Sequence, residues 1–240
     1  SKGIDGSNAV RSYNEGDFNS IQSVETVEKQ YPLRVEACEI RGGSCGDGEA
    51  RGGFGLRRDV RILDESAMLS VLSEKNVIPP YGVSDGGNGA ANSFTVVREG
   101  KIVQPSDVPG KVSGFPLLQN DLVREETAGG GGYGDPLNRE MAMVQADVEN
   151  EYLTMMQAQK RYGVIFQKNG NVDQKASVIE RAKIKNKRVL VKIRVDSKRI
   201  HEGARRVFIL NTKSAKILGV SEGSLIEING ASSAPLRGWV

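Results

Sequence analysis

A glycine run is the stretch of this sequence best suited to approach a ligand. Residues 127–136 read Thr-Ala-Gly-Gly-Gly-Gly-Tyr-Gly-Asp-Pro. Successive glycines can adopt positive φ without a Cβ clash, so the chain can turn sharply and aim several N–H groups at one spot. The run therefore predicts either an anion cradle or a close-packed turn. Tyr133 and the Asp135-Pro136 pair indicate a shaped element rather than a flexible linker.

A helix predicted to start near Leu137 would place its positive end behind these amides, which would suit a phosphate or a carboxylate. The run is not a P-loop, because no Gly-Lys-Ser/Thr follows and Asp135 would repel an anion. We favour close backbone packing, or a subunit contact, over direct phosphate binding. The candidate substrate- or phosphate-loop residues are Gly129, Gly130, Gly131, Gly132, Tyr133 and Arg51.

Other residues that could do chemistry do not assemble into a nucleophile–base pair. His201 is the single histidine, and its place beside Glu202 is more typical of an exposed turn than of a base or ligand. Cys38 and Cys45 are too few for a disulfide framework and lack CxxC spacing, so we expect reduced thiols and no metal site. Aspartates beside glycines are common turn residues; here they are Asp47, Asp85 and Asp135.

Basic residues are concentrated in one segment, although the net charge is only +3. Lysine and arginine are dense over residues 183–206. Such a run either binds nucleic acid or forms a solvated face toward an acidic partner. We favour the second interpretation and predict no nucleic acid, because no aromatic stacking residue interleaves the basic ones before Phe208.

The elements that must position these residues are mostly strands. With 29 glycines and only 5% aromatic residues, the chain predicts a β-rich α+β fold of irregular, glycine-loop-rich strands with a few short helices. Alternation predicts strands up to Ile40 and over 56–63, and a hairpin over 93–103. Apolar spacing predicts a helix after Pro136, and Thr154 with Gln157 forms a capping box for another.

The C-terminal part has a different pattern. Residues 164–166 read as a strand, 172–183 as mixed, and clean alternation begins at Val189. A short helix is predicted over 214–218. We place the boundary near Lys185, which gives a main domain over 1–184 and a small, basic, β-rich C-terminal unit over 185–240.

The sequence shows no membrane or export signal. No apolar run approaches the roughly 18 residues of a membrane span, and the N-terminus lacks the apolar stretch of a signal peptide. We therefore expect a cytoplasmic protein with no membrane contact. The missing initial methionine predicts a processed product, a fragment or the C-terminal part of a longer chain.

Five motifs follow one another along the chain. They are Tyr31-Pro32-Leu33-Arg34-Val35-Glu36, Arg51-Gly52-Gly53-Phe54-Gly55-Leu56, Pro79-Pro80-Tyr81-Gly82-Val83 with Gly86-Gly87, Gly129 to Pro136, and Arg161-Tyr162-Gly163-Val164. In this order and spacing they resemble the C-terminal half of the hydantoinase B/oxoprolinase family over about residues 20–182. Each motif alone is weak, and the combination is specific at family level. One departure is Cys45, where the family pattern tends to have glycine, which would place a side chain in a loop near ligand or partner.

The resemblance implies a subunit of a hetero-oligomer that activates a poorly reactive carbonyl in a small molecule. A hydantoinase A-like ATPase subunit would bind most of the ATP and Mg, and an N-terminal half would be absent here. The extension beyond residue 185 is more similar to the enlarged subunit of acetophenone carboxylase, which implies an ATP-dependent ketone carboxylase enclosing an enol phosphate. The alternatives are an ATP-dependent cyclic amide hydrolase of the N-methylhydantoinase or 5-oxoprolinase type, and a non-catalytic scaffold module.

Overall fold

An antiparallel sheet forms the centre of the computed structural model, which describes residues 3–10, 22–189, 206–230 and 233–240. Helix α1 (Val24–Gln30) precedes it and begins at Ser23, whose hydroxyl accepts from the amide of Thr26. The strands that follow are β1 (Leu33–Ile40), β2 (Leu56–Ile62), β3 (Ser66–Leu72), β4 (Ser93–Arg98), β5 (Lys101–Val103), β6 (Lys111–Leu118) and β7 (Leu122–Glu126).

Five of these strands pair in the order β1-β2-β7-β4-β5, and every pairing is antiparallel. Strands β3 and β6 form a separate two-stranded ribbon. The alternating apolar residues of ribbon and sheet meet in a core built on Ile62, Val96 and Leu117. The ribbon thus covers one face of the sheet.

A second core lies among the helices. These are α2 (Met141–Glu149), α3 (Met155–Tyr162) and α4 (Gln174–Asn186). Val144 of α2, Ala158 and Tyr162 of α3, and Val164 beyond it are fully buried together. Helix α3 begins at the predicted capping box of Thr154 and Gln157 and ends at Gly163, whose φ of 63° is left-handed.

The last elements are α5 (Thr212–Leu218), β8 (Leu225–Gly230) and β9 (Ser233–Trp239). Strands β8 and β9 pair as an antiparallel hairpin, and a parallel bridge joins Val207 to Trp239. Helix α5 lies where the sequence predicts a short helix.

The architecture confirms the predicted β-rich α+β class and the 93–103 hairpin. Two local predictions are wrong. Residues 164–166 make only an isolated bridge, between Phe166 and Val172, because the chain turns back at once and the amide of Gln167 donates to the carbonyl of Asn171. The segment predicted as mixed forms α4, since Asp173 caps its first turn.

The proposed boundary near Lys185 falls in the last turn of α4, and the division into 1–184 and 185–240 remains a prediction. His201 and residues 190–205 of the basic run lie outside the described residues. In the described part of the chain, no helix has both the length and the apolar character needed to cross a membrane.

Candidate functional site

Three glycine-rich loops pack directly on one another by their backbones. They are the 42–55 loop, the 81–92 loop and the 127–135 loop. The first two are joined by bonds from Gly87 N to Asp47 O (2.6 Å) and from Ala90 N to Ser44 O (2.7 Å). The 127–135 loop donates amides to both of the others: Gly129 to Ala90 (3.3 Å), Gly130 to Gly53 (2.9 Å), Gly132 to Gly87 (2.9 Å), Tyr133 to Ala50 (2.9 Å) and Gly134 to Val83 (3.0 Å).

The glycines of the run are needed for close approach rather than for left-handed turns. Within the run only Gly134 has a positive φ, of 76°. A Cβ on Gly131 would overlap the carbonyl oxygen of Tyr81, and one on Gly129 would overlap that of Ser44. Side chains are excluded here because neighbouring backbones occupy their space.

This arrangement agrees with the close-packing interpretation of the run. Six of its amides already donate to backbone carbonyls, one of them from Thr127 to Leu56. The helix expected near Leu137 is a single 3-10 turn over Pro136–Asn138, and the first α-helix after it begins only at Met141. Asp135 caps that turn and pairs with Arg188 at 2.6 Å. A phosphate-binding role for the run remains a prediction that this geometry does not favour.

Tyr133 differs from the glycines around it. Its backbone bridges Ala50 on one side and Val83 on the other. Its side chain points outward and is 56% exposed. Tyr133 is therefore the member of the run whose side chain is free to contact a ligand or another subunit.

Arg51 is held inside the protein. Its Nε donates to Asp147 Oδ1 at 3.0 Å, and its guanidinium lies 4.6 Å from the centre of the Phe54 ring. Only 8% of the side chain is exposed. Arg51 thus joins the 42–55 loop to helix α2.

Arg139 completes a buried network that sequence reasoning missed. It donates to both carboxylate oxygens of Asp5, at 2.6 and 2.8 Å, and to Asp147 Oδ2 at 2.8 Å. Two arginines therefore balance two carboxylates in the interior. Burial raises the pKa of Asp5, but its bonds to Arg139 and Arg51 outweigh that effect and hold the pKa below its usual value.

A sequence signal for this network exists in α2. Val144 and Asp147 stand three residues apart on one helical face, and both are buried. A carboxylate on the apolar face of a helix requires a cationic partner. Asp5 and Arg139 carry no comparable signal, since they are 134 residues apart.

Cys45 and Tyr162 bury their polar atoms near this network. Cys45, which the resemblance places in a loop near ligand or partner, has its own side chain inside the protein and is only 1% exposed. Burial raises the pKa of its thiol to about 12, so the reactive thiolate is disfavoured. The Tyr162 hydroxyl is buried without a hydrogen-bond partner among the described residues, and burial raises its pKa. Neither group is activated as a nucleophile.

Comparison with known proteins gives consistent results. The sequence profile of the hydantoinase B/oxoprolinase family matches residues 1–136. The chain is 31% identical over 175 residues to the beta subunit of caprolactamase from Pseudomonas jessenii, covering 69% of this chain and 29% of that protein. It is 30% identical over 171 residues to a subunit of a putative D-/L-hydantoinase from Pseudomonas sp. (strain NS671), covering 71% and 28%. It thus spans under a third of these relatives' length.

Two solved structures share the fold. The ATP-dependent caprolactamase from Pseudomonas jessenii superposes with a TM-score of 0.58 at 25% identity, over 75% of this chain and 33% of that chain. Nucleotide-free acetone carboxylase superposes with a TM-score of 0.61 at 21% identity, over 76% of this chain and 28% of that chain. The second likeness concerns the fold alone.

Proposed function

This chain belongs to the hydantoinase B/oxoprolinase family, and on that premise we propose that it is part of a subunit of an ATP-dependent enzyme complex. The complex would activate a poorly reactive carbonyl group in a small molecule. The observation that carries this proposal is identity of about 30% over some 70% of the chain with subunits named for caprolactam and hydantoin hydrolysis. Their shared fold supports it.

The chemistry needs a second component. A hydantoinase A-like ATPase subunit would bind most of the ATP and its Mg, and would transfer a phosphoryl group to the carbonyl or enol oxygen. Phosphorylation makes that oxygen a better leaving group and the carbon easier to attack. We therefore propose a cytoplasmic hetero-oligomer in which this chain is not active alone.

Within such a complex, the described residues best suit a rigid supporting role. The amides of the glycine run donate hydrogen bonds to the other loops, and Arg51 forms an ion pair with Asp147. Residues locked in this way hold the loops in fixed positions, as a preorganised site requires. Tyr133 is the candidate for direct contact with substrate or a neighbouring subunit, because its side chain is exposed.

Hydrolysis of a cyclic amide is the reaction that we favour. The relatives with at least 30% identity over about 70% of the chain are named for cyclic amides. Carboxylation of a ketone, of the acetone or acetophenone kind, is the second candidate. It is supported by the fold shared with acetone carboxylase.

One assay on the native complex separates the two reactions. The complex is purified through this chain, and phosphate release from ATP is measured with a cyclic amide, with a ketone, and with a ketone plus labelled bicarbonate. Hydrolysis predicts a ring-opened amino acid and no incorporated label, whereas carboxylation predicts acid-stable label. ATP turnover indifferent to every one of these substrates would contradict the proposal.

The supporting role has its own test. Tyr133→Ala removes an exposed side chain without touching the backbone bonds of the run, so the complex should still assemble. If product formation also survives, the chain acts as a scaffold. If product formation is lost from an intact complex, Tyr133 contacts the reacting substrate or the neighbouring chain that holds it.

A further inference from the structure

A cleft of about 480 Å³ opens beside the sheet, away from the exposed side chain of Tyr133. Its volume falls within the range of roughly 300 to 1,000 Å³ that is usual for small-molecule sites. One part of its wall is apolar, and the other carries charge. The apolar residues are Ala9, Val10, Phe54, Leu56 and Ala128, and the charged ones are Arg58, Lys75 and Glu125.

Arg58 stands at the centre of the charged wall. On the sheet it lies opposite Cys38 of β1 and opposite Glu125 of β7, and both also line the cleft. Its Nε is buried without a hydrogen-bond partner among the described residues. Within the same part of the chain, no carboxylate lies within 4 Å of its guanidinium, although Glu125 is its direct cross-strand neighbour.

Four other arginines of this sheet are paired, and a fifth, Arg34 of β1, is exposed. A half-buried guanidinium without acceptors is costly, because the lost hydration is not replaced. The buried Nε is shielded from solvent, so an anion in the cleft would accept from the terminal nitrogens of Arg58 instead. The paired arginines are Arg57 and Arg124 with Asp59, Arg61 with Glu36, and Arg98 with Asp121.

Lys75 provides a second cation, and the backbone that carries it is held in place. Its φ of 60° is left-handed, which is uncommon for a residue with a side chain. Its carbonyl oxygen accepts from the amide of Asn92 at 3.0 Å, and Asn92 Nδ2 donates to Glu74 O at 2.6 Å. With Arg58 and Lys75 positive and Glu125 negative, the cleft wall has a net charge of about +1. This charge suits a ligand that carries a single negative charge.

We propose that this cleft binds a small organic carboxylate with an apolar body. The carboxylate would accept from Arg58 and Lys75, and the apolar body would pack against Phe54, Leu56 and Ala128. Arginine suits this role because its planar guanidinium can donate two parallel bonds to a carboxylate. The site rests on the cleft alone and stands whether or not the chain takes part in the ATP-dependent reaction.

Calorimetry with the 240-residue chain tests the charge requirement. Benzoate should bind more tightly than benzyl alcohol, which has no charge, and than inorganic phosphate, which has no apolar body. Arg58→Gln should weaken benzoate binding at least about tenfold, the effect of losing one charge-assisted hydrogen bond. Glu125→Gln should tighten it, since it removes a like charge. Arg34→Gln changes an exposed arginine of the same sheet and should leave binding unchanged.

A thiol footprint locates the ligand independently. Cys38 is exposed at the cleft wall, whereas Cys45 is buried elsewhere. Benzoate should slow iodoacetamide labelling of Cys38 in the wild type and much less in Arg58→Gln. Equal affinity for benzoate and benzyl alcohol, unchanged affinity in a folded Arg58→Gln variant, or an unprotected Cys38 would each overturn the proposal.

Discussion

Arg139 holds Asp5 through both terminal nitrogens of its guanidinium, at 2.6 and 2.8 Å, across 134 residues of sequence. The same side chain reaches Asp147 at 2.8 Å and is only 1% exposed. The bond therefore fastens the segment at residues 3–10 to the helical core. Loss of this bond should therefore destabilise both the segment and the helical core.

Arg139→Met should lower the free energy of unfolding by about 3–5 kcal/mol, because it leaves buried carboxylates short of one positive charge. Urea denaturation measures the change. Arg34→Met, at an exposed arginine of β1, is the matched control and should stay within about 0.5 kcal/mol. A loss below about 1 kcal/mol for Arg139→Met would show that the buried carboxylates do not depend on the positive charge of Arg139.

Alanine substitutions along the glycine run should differ steeply. A Cβ on Gly131 overlaps the carbonyl oxygen of Tyr81, and backbone cannot yield as a flexible side chain does. A Cβ on Gly130 would lie 3.2 Å from its nearest neighbour, Gly53 N. We expect Gly131→Ala to cost about 3 kcal/mol or more and Gly130→Ala clearly less. Melting temperatures of soluble protein give the comparison.

Gly42→Ala is the control for those variants. Its Cβ would meet the carbonyl oxygen of Glu151 at an ordinary 3.4 Å, so its stability should be nearly normal. If the run were instead a phosphate cradle, Gly130→Ala would weaken nucleotide-dependent turnover while leaving the melting temperature unchanged. That outcome would contradict the packing interpretation.

The two thiols should react very differently. Cys38 is exposed, and Cys45 is buried with a thiol pKa raised to about 12. At neutral pH the native chain should therefore consume about one equivalent of a thiol reagent quickly, and the second only after unfolding in urea. Peptide mass spectrometry should assign the fast site to Cys38. Rapid native labelling of Cys45 would contradict its burial.

Acid should weaken the protein partly through Asp59. Burial raises the pKa of this carboxyl, but Arg124 and Arg57 hold it at about 2, against an ordinary value of 3.8. Because the folded pKa is depressed, the stabilisation is complete above about pH 4 and is lost as pH falls toward about 2. At neutral pH, Asp59→Asn should cost about 1–2 kcal/mol, discounted for partial solvent screening.

The pH dependence of stability distinguishes the loss of the Asp59 ion pairs from a disruption of packing by the substitution. The difference in free energy of unfolding between wild type and Asp59→Asn should shrink steadily between about pH 4 and pH 2. Urea titrations at each pH measure it. A difference that does not change with pH would mean that the ion pairs with Arg57 and Arg124 are not its source.

Local patterns predicted the local structure well. The alternation before Ile40, the hairpin over 93–103 and the capping box at Thr154 depend on neighbours in sequence, and each is found. Close packing of the glycine run was the favoured interpretation, but its packing partners were not predicted, because the atoms that exclude a Cβ from Gly131 belong to Tyr81, 50 positions earlier. The partners of Arg139 were missed for the same reason.

The three glycine-rich loops also restrict how this protein can be engineered. Surface loops usually accept cleavage, inserted tags or new termini, because little else depends on them. Here each loop carries the hydrogen-bond acceptors of another, so a break in the 81–92 loop would strip partners from amides at Gly129, Gly132 and Gly134 at once. A reporter or permuted terminus belongs instead at the Glu99-Gly100 turn, where a Cβ added to Gly100 meets nothing within 4 Å.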